Sequence, residues 1–517
     1  MYKRIGIFLV ILLLFMSMMS STSVFAATTF NNPFIYADTP DNDVIRVGNA
    51  FYMTSTTMHM NPGVPIMKSY DLVNWEIVNY VYDTYANDDA QNLNNGKNEY
   101  GKGSWASSLR YYNGIYYVSF GSNSTGKTYI YQTSNIETGP WTSSVLNSYY
   151  HDASLLFDNG RVFLVYGSDN ISMIELTADA KAIKSGGLNQ VIIPNASNIA
   201  GSSFIVKAEG AHIQKINGMY YVFLICWPSG SSRTQLTYRA SSLIGPYTGR
   251  VALSDSGIAQ GGIVDTASGS WYAMLFKDSG AIGRMPYLVP VTWSNNWPVF
   301  GVNGKAPLTM NVPVGGYPVK KVYASDEFSS SATLAKVWQW NHNPDNTNWS
   351  LTQRPGFMRM TTGKVSTSIL DARNTLTQRT FGPKSTGIIA METSGMKDGD
   401  YSGLAAFQAK YGFVGVKMSG TSKSIVMVNA GSGAMTEVAS VPFSQNRVYF
   451  KVLCDFTNQT DKAYFYYSLD GTNWTTIGNT LQMSYTIPHF MGYRFALFNY
   501  ATKSTGGFVD FDYLHLQ

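Results

Sequence analysis

The stretch HDASLLFDNGRVFLVYGS, residues 151–168, reads as two short apolar strands hinged on Asn159-Gly160. Asn-Gly admits positive φ at both central positions of a two-residue turn, which the right-handed twist of the flanking strands requires. The same sequence of strand, glycine turn and aromatic strand returns in DNDVIRVGNAFYMTS (41–55), WASSLRYYNGIYYVSFGS (105–122), EGAHIQKINGMYYVFLI (209–225) and QGGIVDTASGSWYAMLF (260–276). The turn glycines, Gly48, Gly114, Gly160, Gly218 and Gly269, recur at roughly 45–65 residues, the period of a propeller blade with loop insertions. Turn-rich strands such as SYDLVNWEIV (69–78), TSNIETGPWTSS (133–144) and ASSLIGPYTG (240–249) follow the hairpins, filling blades of about four strands. Five repeats predict a five-bladed β-propeller.

In a propeller the first strand of each blade lines the central channel. The residues that open the repeats are Asp41, Trp105, Asp152, Glu209 and Gln260. Superposition of the repeats brings these side chains to one end of the channel. Three of them are carboxylates, and like charges crowded into a partly dry funnel push their pKa values apart, which fold stability does not favour. The first repeat adds a further puzzle. FIYADTPDNDVIRVGNAFYM (34–53) crowds Asp38, Asp41 and Asp43 at the mouth of an apolar strand, in a chain only 13% charged. Acids at strand ends are ordinarily solvated turn residues; three at the same point of three repeats make a candidate site.

Composition narrows the alternatives. The net charge of +5 is dispersed, with no basic run or basic helix, so nucleic acid is excluded as a partner. At the N-terminus Lys3 and Arg4 precede an apolar run, Ile5 to Met16, and Val24-Phe25-Ala26 offers a cleavage site before Ala27. This pattern predicts a signal peptide over 1–26, a secreted chain, and no membrane association after cleavage. The two cysteines, Cys226 and Cys454, sit in apolar runs and read as buried free thiols.

A funnel with three acids suits hydrolysis of a glycosidic bond, in which one carboxyl protonates the leaving oxygen and another activates water or attacks the anomeric carbon. A third carboxylate keeps the acid protonated through like-charge repulsion. Trp75, Trp105 and Trp227 are candidates to stack on sugar faces, against a role in the propeller core. This chemistry requires no cofactor.

The repeat openings resemble those of glycoside hydrolase family 43, inverting five-bladed propellers that cleave xylosides and arabinofuranosides. The resemblance spans most of residues 30–320. PDNDVIRVG (40–48) is similar to the family's base motif, HDASLLFDNGRVFLVYG (151–167) to the motif of the pKa modulator, and AEGAHIQKINGMYYV (208–222) to that of the general acid. It implies Asp41 as base, with Asp38 its rival, Asp152 as modulator and Glu209 as acid. GVPIMKSYDLVNW (63–75) and GRMPYLVPVTWSNNWPVFG (283–301) also resemble family segments; Arg284 of the latter would reach a sugar hydroxyl pair. Two departures stand out. The usual Pro after the base is Asn42, and the fifth blade carries Gln260 in IAQGGIVDT (258–266) where relatives carry a His near a central ion or water, which puts a channel metal in doubt.

GVNGKAPLTMNVPVGGYPVKK (301–321) reads as a Pro- and Gly-rich linker. Beyond it DEFSSSATLAKVWQWNHNPD (326–345) begins a second set of short alternating strands, including FVGVKMSG (413–420), SIVMVNA (424–430), VYFKVLCDF (448–456), AYFYYSLDG (463–471) and FVDFDYLHLQ (508–517). The pattern predicts an antiparallel β-sandwich of jelly-roll, concanavalin A-like type over 319–517, after a propeller over 27–318. Certain family members carry a similar C-terminal sandwich, which RNTLTQRTFGP (373–383) resembles. The sandwich would bind glycan, lend a loop to the active-site rim, or brace the propeller. By likeness to such sandwiches, Asp326 and Asp512 are candidate ligands of a structural Ca²⁺. The implied function is release of non-reducing-end xylose or arabinofuranose from plant cell-wall polysaccharide or its oligosaccharides. The alternative is a carbohydrate-binding protein on the same fold without catalysis.

Overall fold

The computed structural model describes residues 28–330 and 332–517; the leader predicted over 1–26 lies outside them. Five four-stranded antiparallel sheets follow one another along the chain, spanning Asp43–Tyr82, Ser107–Leu146, Ser154–Ile193, Phe204–Leu253 and Ile263–Phe300. These are the blades predicted from the repeat. In three of the hairpins the turn is Asn-Gly with both residues at positive φ: Asn113-Gly114, Asn159-Gly160 and Asn217-Gly218. The middle strands, such as Ala50–Thr54 and Arg161–Tyr166, are buried nearly end to end because they sit between neighbouring blades, so they read as apolar runs rather than alternating ones. Arg46 of the first blade reaches Asp265 of the fifth at 2.6 Å and ties the ring shut.

The segment predicted as a linker is not free. Its Thr309–Asn311 pairs antiparallel with Thr29–Asn31, so the start of the described chain is clipped to the end of the propeller. Asn32 completes the clip by donating to the carbonyls of Leu288 and Pro307.

The second domain is the predicted sandwich. Strand Arg447–Asp455 alternates without a break, with Val448, Phe450, Val452 and Cys454 inward, the period-2 signature of a half-buried strand. One eight-stranded sheet does not end within the domain. Its edge strand Gln339–Asn341 pairs with Met60–Asn61 of the first blade. The two domains also share an apolar core, in which Ala281, Ile282 and Met285 of the propeller join residues such as Tyr493 and Phe495 of the sandwich. Cys226 and Cys454 are buried and free, as predicted.

The calcium site predicted from Asp326 and Asp512 is not assembled. Asp326 does bridge to the last strand, at Leu514, but its carboxylate accepts from the Phe328 N–H and the Trp338 indole. Asp512 is instead ion-paired with Arg447. The two carboxylates are thus engaged by different protein partners and do not meet at one site.

Candidate active site

The blade openings share a backbone feature as well as a position. Asp41, Asp152 and Gln260 all lie in the left-handed region, at φ 53, 44 and 63, and Glu209 is followed by Gly210 at φ 67. Non-glycine residues adopt this conformation at a cost, and such strain concentrates at functional sites. At Gly210 it is matched by close approach: a Cβ there would lie 2.9 Å from the Gln260 amide nitrogen. Gln260 is therefore packed on the backbone that carries Glu209.

Asp152 is the centre of the acidic group. Its side chain is 7% exposed. Burial, together with the charges of Glu209 and Asp41 and against the pull of His151 and His212, pushes its pKa up to about 6. The three predicted carboxylates thus lie close enough to feel one another. His151, next in the chain, touches two of them: its Nε2 is 3.0 Å from Glu209 Oε2 and 3.8 Å from Asp152 Oδ2. Its Nδ1 meets the Tyr149 hydroxyl at 2.9 Å. Burial lowers the imidazole pKa, but the Asp152 and Glu209 carboxylates outweigh it and raise the value to about 9. The 3.0 Å contact is a hydrogen bond, and with Asp152 beside it the three side chains form one polar cluster whose ligand atoms lie within 4.8 Å of one another.

Asp41 is held from the other side. Arg284 Nη1 lies 3.0 Å from both of its oxygens, and the guanidinium is packed between Phe276 and Phe490, 5.4 and 4.4 Å from their ring centres. Arg284, predicted to meet substrate, is buried and clamps Asp41 in this structure. Asp38, the rival base, is turned away to accept the Arg284 backbone N–H. Trp105 stacks on Phe490 at 5.8 Å and tilts against His151 at 6.3 Å, so it does line the site. Trp75 does not. It is buried in the first blade's core, its indole donating to the Leu72 carbonyl, because the Asp71 turn folds it inward. Trp227 stands apart as well, under Arg233 and donating to the Ser231 carbonyl.

The third acid of the opening run has a different task. Asp43 accepts from Arg110 Nη1 at 2.6 Å, from the Leu109 N–H at 2.8 Å, and meets His212 Nδ1 at 3.3 Å. Burial alone would raise its pKa; Arg110 and His212 overcome that and hold it at about 2. Arg110 also reaches the Leu155 carbonyl, Ser154 Oγ and the Ile213 carbonyl, so one guanidinium joins the first, second, third and fourth blades in the channel. His151, Arg110, His212 and Phe490 were not singled out from sequence, and Asp43 was noted only as one of the crowded acids. His151, Arg110 and His212 lie inside the repeat motifs, where their positions could have been read. Phe490 comes from the other domain and carried no signal.

Comparisons with known proteins give the family to which this cluster belongs. Residues 30–298 match the model of glycosyl hydrolases family 43, and residues 325–517 match that of the beta-xylosidase C-terminal concanavalin A-like domain. A beta-xylosidase of Formosa agariphila is 29% identical, over 94% of this chain and 90% of its own. A non-reducing end alpha-L-arabinofuranosidase of Bacteroides ovatus is 28% identical, over 68% of each chain. A solved structure described as a bifunctional GH43-CE protein of Bacteroides eggerthii superimposes with a TM-score of 0.92 at 54% identity, over 94% of this chain; the chain spans 63% of that longer protein. With the five-bladed propeller, the sandwich and both family models in agreement, the chain belongs to glycoside hydrolase family 43 and is an O-glycosyl hydrolase.

Proposed function

We propose that this chain is a secreted, inverting exo-glycosidase that removes a terminal pentose, β-1,4-linked xylose or α-L-arabinofuranose, from hemicellulose or its oligosaccharides. The observation that carries the reading is the meeting of three carboxylates from three blades, with Asp152 feeling both Glu209 and Asp41. Glu209 is the general acid: it gives its proton to the leaving sugar oxygen. Asp41 is the base: clamped by Arg284, it takes a proton from the water that attacks the anomeric carbon from the opposite face. Asp152 does not touch the bond being broken; its negative charge favours the protonated form of Glu209.

Exo action is supported by the sandwich. Its Phe490 sits beside Trp105 and over Arg284, and a Cβ on Gly101 would meet the Pro488 carbonyl at 2.2 Å, so this loop closes tightly on one wall of the funnel. A wall there leaves room for a chain end rather than a chain running through. The names of the xylosidase and arabinofuranosidase relatives support the two candidate sugars equally. Secretion rests on the N-terminal pattern.

The test is release of nitrophenol from aryl β-xyloside and aryl α-L-arabinofuranoside, with proton NMR of the first-formed sugar. Turnover of at least one and an inverted first anomer are expected. A retained anomer would overturn the role of Asp41, and turnover of neither would overturn the pentosidase reading.

A further inference from the structure

We propose that His151 is a positioning residue for Glu209: one proton is shared between His151 Nε2 and Glu209 Oε2, and this pair, rather than the carboxyl alone, carries the proton delivered to the departing sugar oxygen. The proposal rests on the reading of Glu209 as general acid.

The imidazole is fixed at both nitrogens, by Glu209 at 3.0 Å and by the Tyr149 hydroxyl at 2.9 Å. It is fixed through its backbone as well, since the His151 carbonyl accepts from the Gly167 N–H. The ring therefore holds one Glu209 oxygen in place and leaves the other for the substrate. The groups that face it are Glu209, Asp152 at 3.8 Å, Tyr149 and the Trp105 ring, with Asp41 and His212 acting through Asp152. Both partners are about one-quarter exposed, 27% for His151 and 26% for Glu209, so the pair borders the funnel. The Asp152 and Glu209 carboxylates both lie beside the imidazole, and their charges favour a proton on the ring.

The step balances simply. Before cleavage the pair is neutral, either imidazolium with carboxylate or imidazole with carboxylic acid, differing by one proton moved across the 3.0 Å contact. As the glycosidic bond breaks, its electron pair passes to the leaving oxygen. The proton bonds there, and the pair is left as neutral imidazole and carboxylate. Solvent restores the proton after the sugar departs.

Two measurements on the full chain test this. In the first, ¹⁵N NMR follows the His151 imidazole against pH, assigned by its loss in His151→Gln. The pKa is expected more than one unit above the free value of about 6.5, falling back by at least one unit in Glu209→Gln. A value at or below the free one, or no response to Glu209→Gln, would overturn the shared proton. The second is the kinetics of His151→Gln, with its thermal midpoint as a folding control. The upper limb of the kcat/KM profile should move down by at least one pH unit. Poor leaving groups should lose up to about 10²-fold, the low end of general-acid assistance, and activated aryl glycosides far less. An unmoved limb with equal loss on all leaving groups would make His151 merely structural and sink the proposal. Absence of turnover in the wild type would overturn the glycosidase reading and the delivery step with it, while the titration separately decides the shared proton.

Discussion

Two aspartates, Asp152 and Asp43, have opposite effects on stability, and the sign follows from their surroundings. Asp152 is pushed up to about 6 by burial and by its acidic neighbours. The folded protein then holds a proton that the unfolded chain has released, so stability falls as pH rises from about 4 to about 6, by about 3 kcal/mol at roughly 1.4 kcal/mol per unit. Asp152→Asn is expected to be the more stable protein at pH 7 in urea melts, with the difference vanishing near pH 4, while its turnover falls and its pH profile shifts. An aspartate kept at such a cost is kept for its charge. Asp43, held at about 2, contributes in the other direction. Its stabilisation is complete above about 4 and is lost as pH falls towards 2. Asp43→Asn leaves Arg110 buried without its counter-ion, and a loss of about 3–5 kcal/mol is expected in the same melts. Glu209→Gln should cost about 10²–10⁴ in turnover of poor leaving groups and less on activated aryl glycosides, measured across a leaving-group series.

At the scale of elements, the hairpins place the acids and a loop completes them. Asp41, Trp105, Asp152 and Gln260 stand just before the first strand of their blades, Glu209 lies within its own, Phe204–Ile216, and left-handed backbone at Asp41 and Asp152 turns their carboxylates into the funnel. The loop that carries Phe490 belongs to the sandwich, yet its ring touches Trp105 and Arg284, one of them a wall and the other the clamp on Asp41. A cation–π contact of this kind contributes about 0.5–2 kcal/mol. Phe490→Ala is expected to lower kcat/KM on short substrates by about tenfold, in keeping with that energy, and to leave the carboxylates in place. Steady-state kinetics on xylobiose and on aryl glycosides checks it; unchanged kcat/KM on both would show that the loop is only a cover.

The whole molecule behaves as one unit because the interface is built from strands, cations and a shared core. Gln339–Asn341 pairs with Met60–Asn61, Arg379 Nε donates to the Asp38 carbonyl, and the Tyr493 N–H donates to Ala281. A chain cut near Lys320 would expose all of these groups and lose Phe490. Expression of residues 27–320 should give poorly soluble protein of low activity; a soluble, fully active fragment with an unshifted midpoint would show the bracing to be dispensable. The interface also has an acid-sensitive element. The ring of His59 of the propeller lies 4.8 Å from that of His342 and edge-on 5.0 Å from that of His489 of the sandwich, around Tyr100. His342 Nε2 accepts the Glu99 N–H, which requires a neutral ring. Burial, then the neighbouring histidines and Arg494, holds His59 well below its usual value, and burial and Arg494 hold His489 at about 3. Unfolding lets these rings take up protons, so stability is full above about pH 6.5 and falls below it, by about 1.4 kcal/mol per pH unit for each ring. Thermal midpoints measured from pH 7.5 to 5 should drop accordingly, and less so in His489→Asn.

The propeller could be read from the residues alone, because a blade is a local object. Its turn needs a glycine, preceded by Asn in three of the five repeats, its strands need apolar and aromatic runs, and both are written within one repeat. The three carboxylates were legible for the same reason: similar offsets, seven to nine residues ahead of the turn glycines, place them at one end of the channel. The second domain was legible as a sandwich from period-2 strands such as Arg447–Asp455. What the tertiary structure alone decided lies between repeats and between domains. Trp75 looked like a sugar platform, but the Asp71 turn buries it in its own blade. Arg284 read as a substrate ligand, and the fold adds that its Nη1 clamps Asp41 beneath a phenylalanine from the other domain. Asp326 and Asp512 looked like one calcium site and are satisfied by different partners. Side-chain partners across a fold depend on packing that no local pattern encodes, and for that reason the partners of His151 and Arg110, and the place of Phe490, became visible only when the blades closed and the sandwich docked.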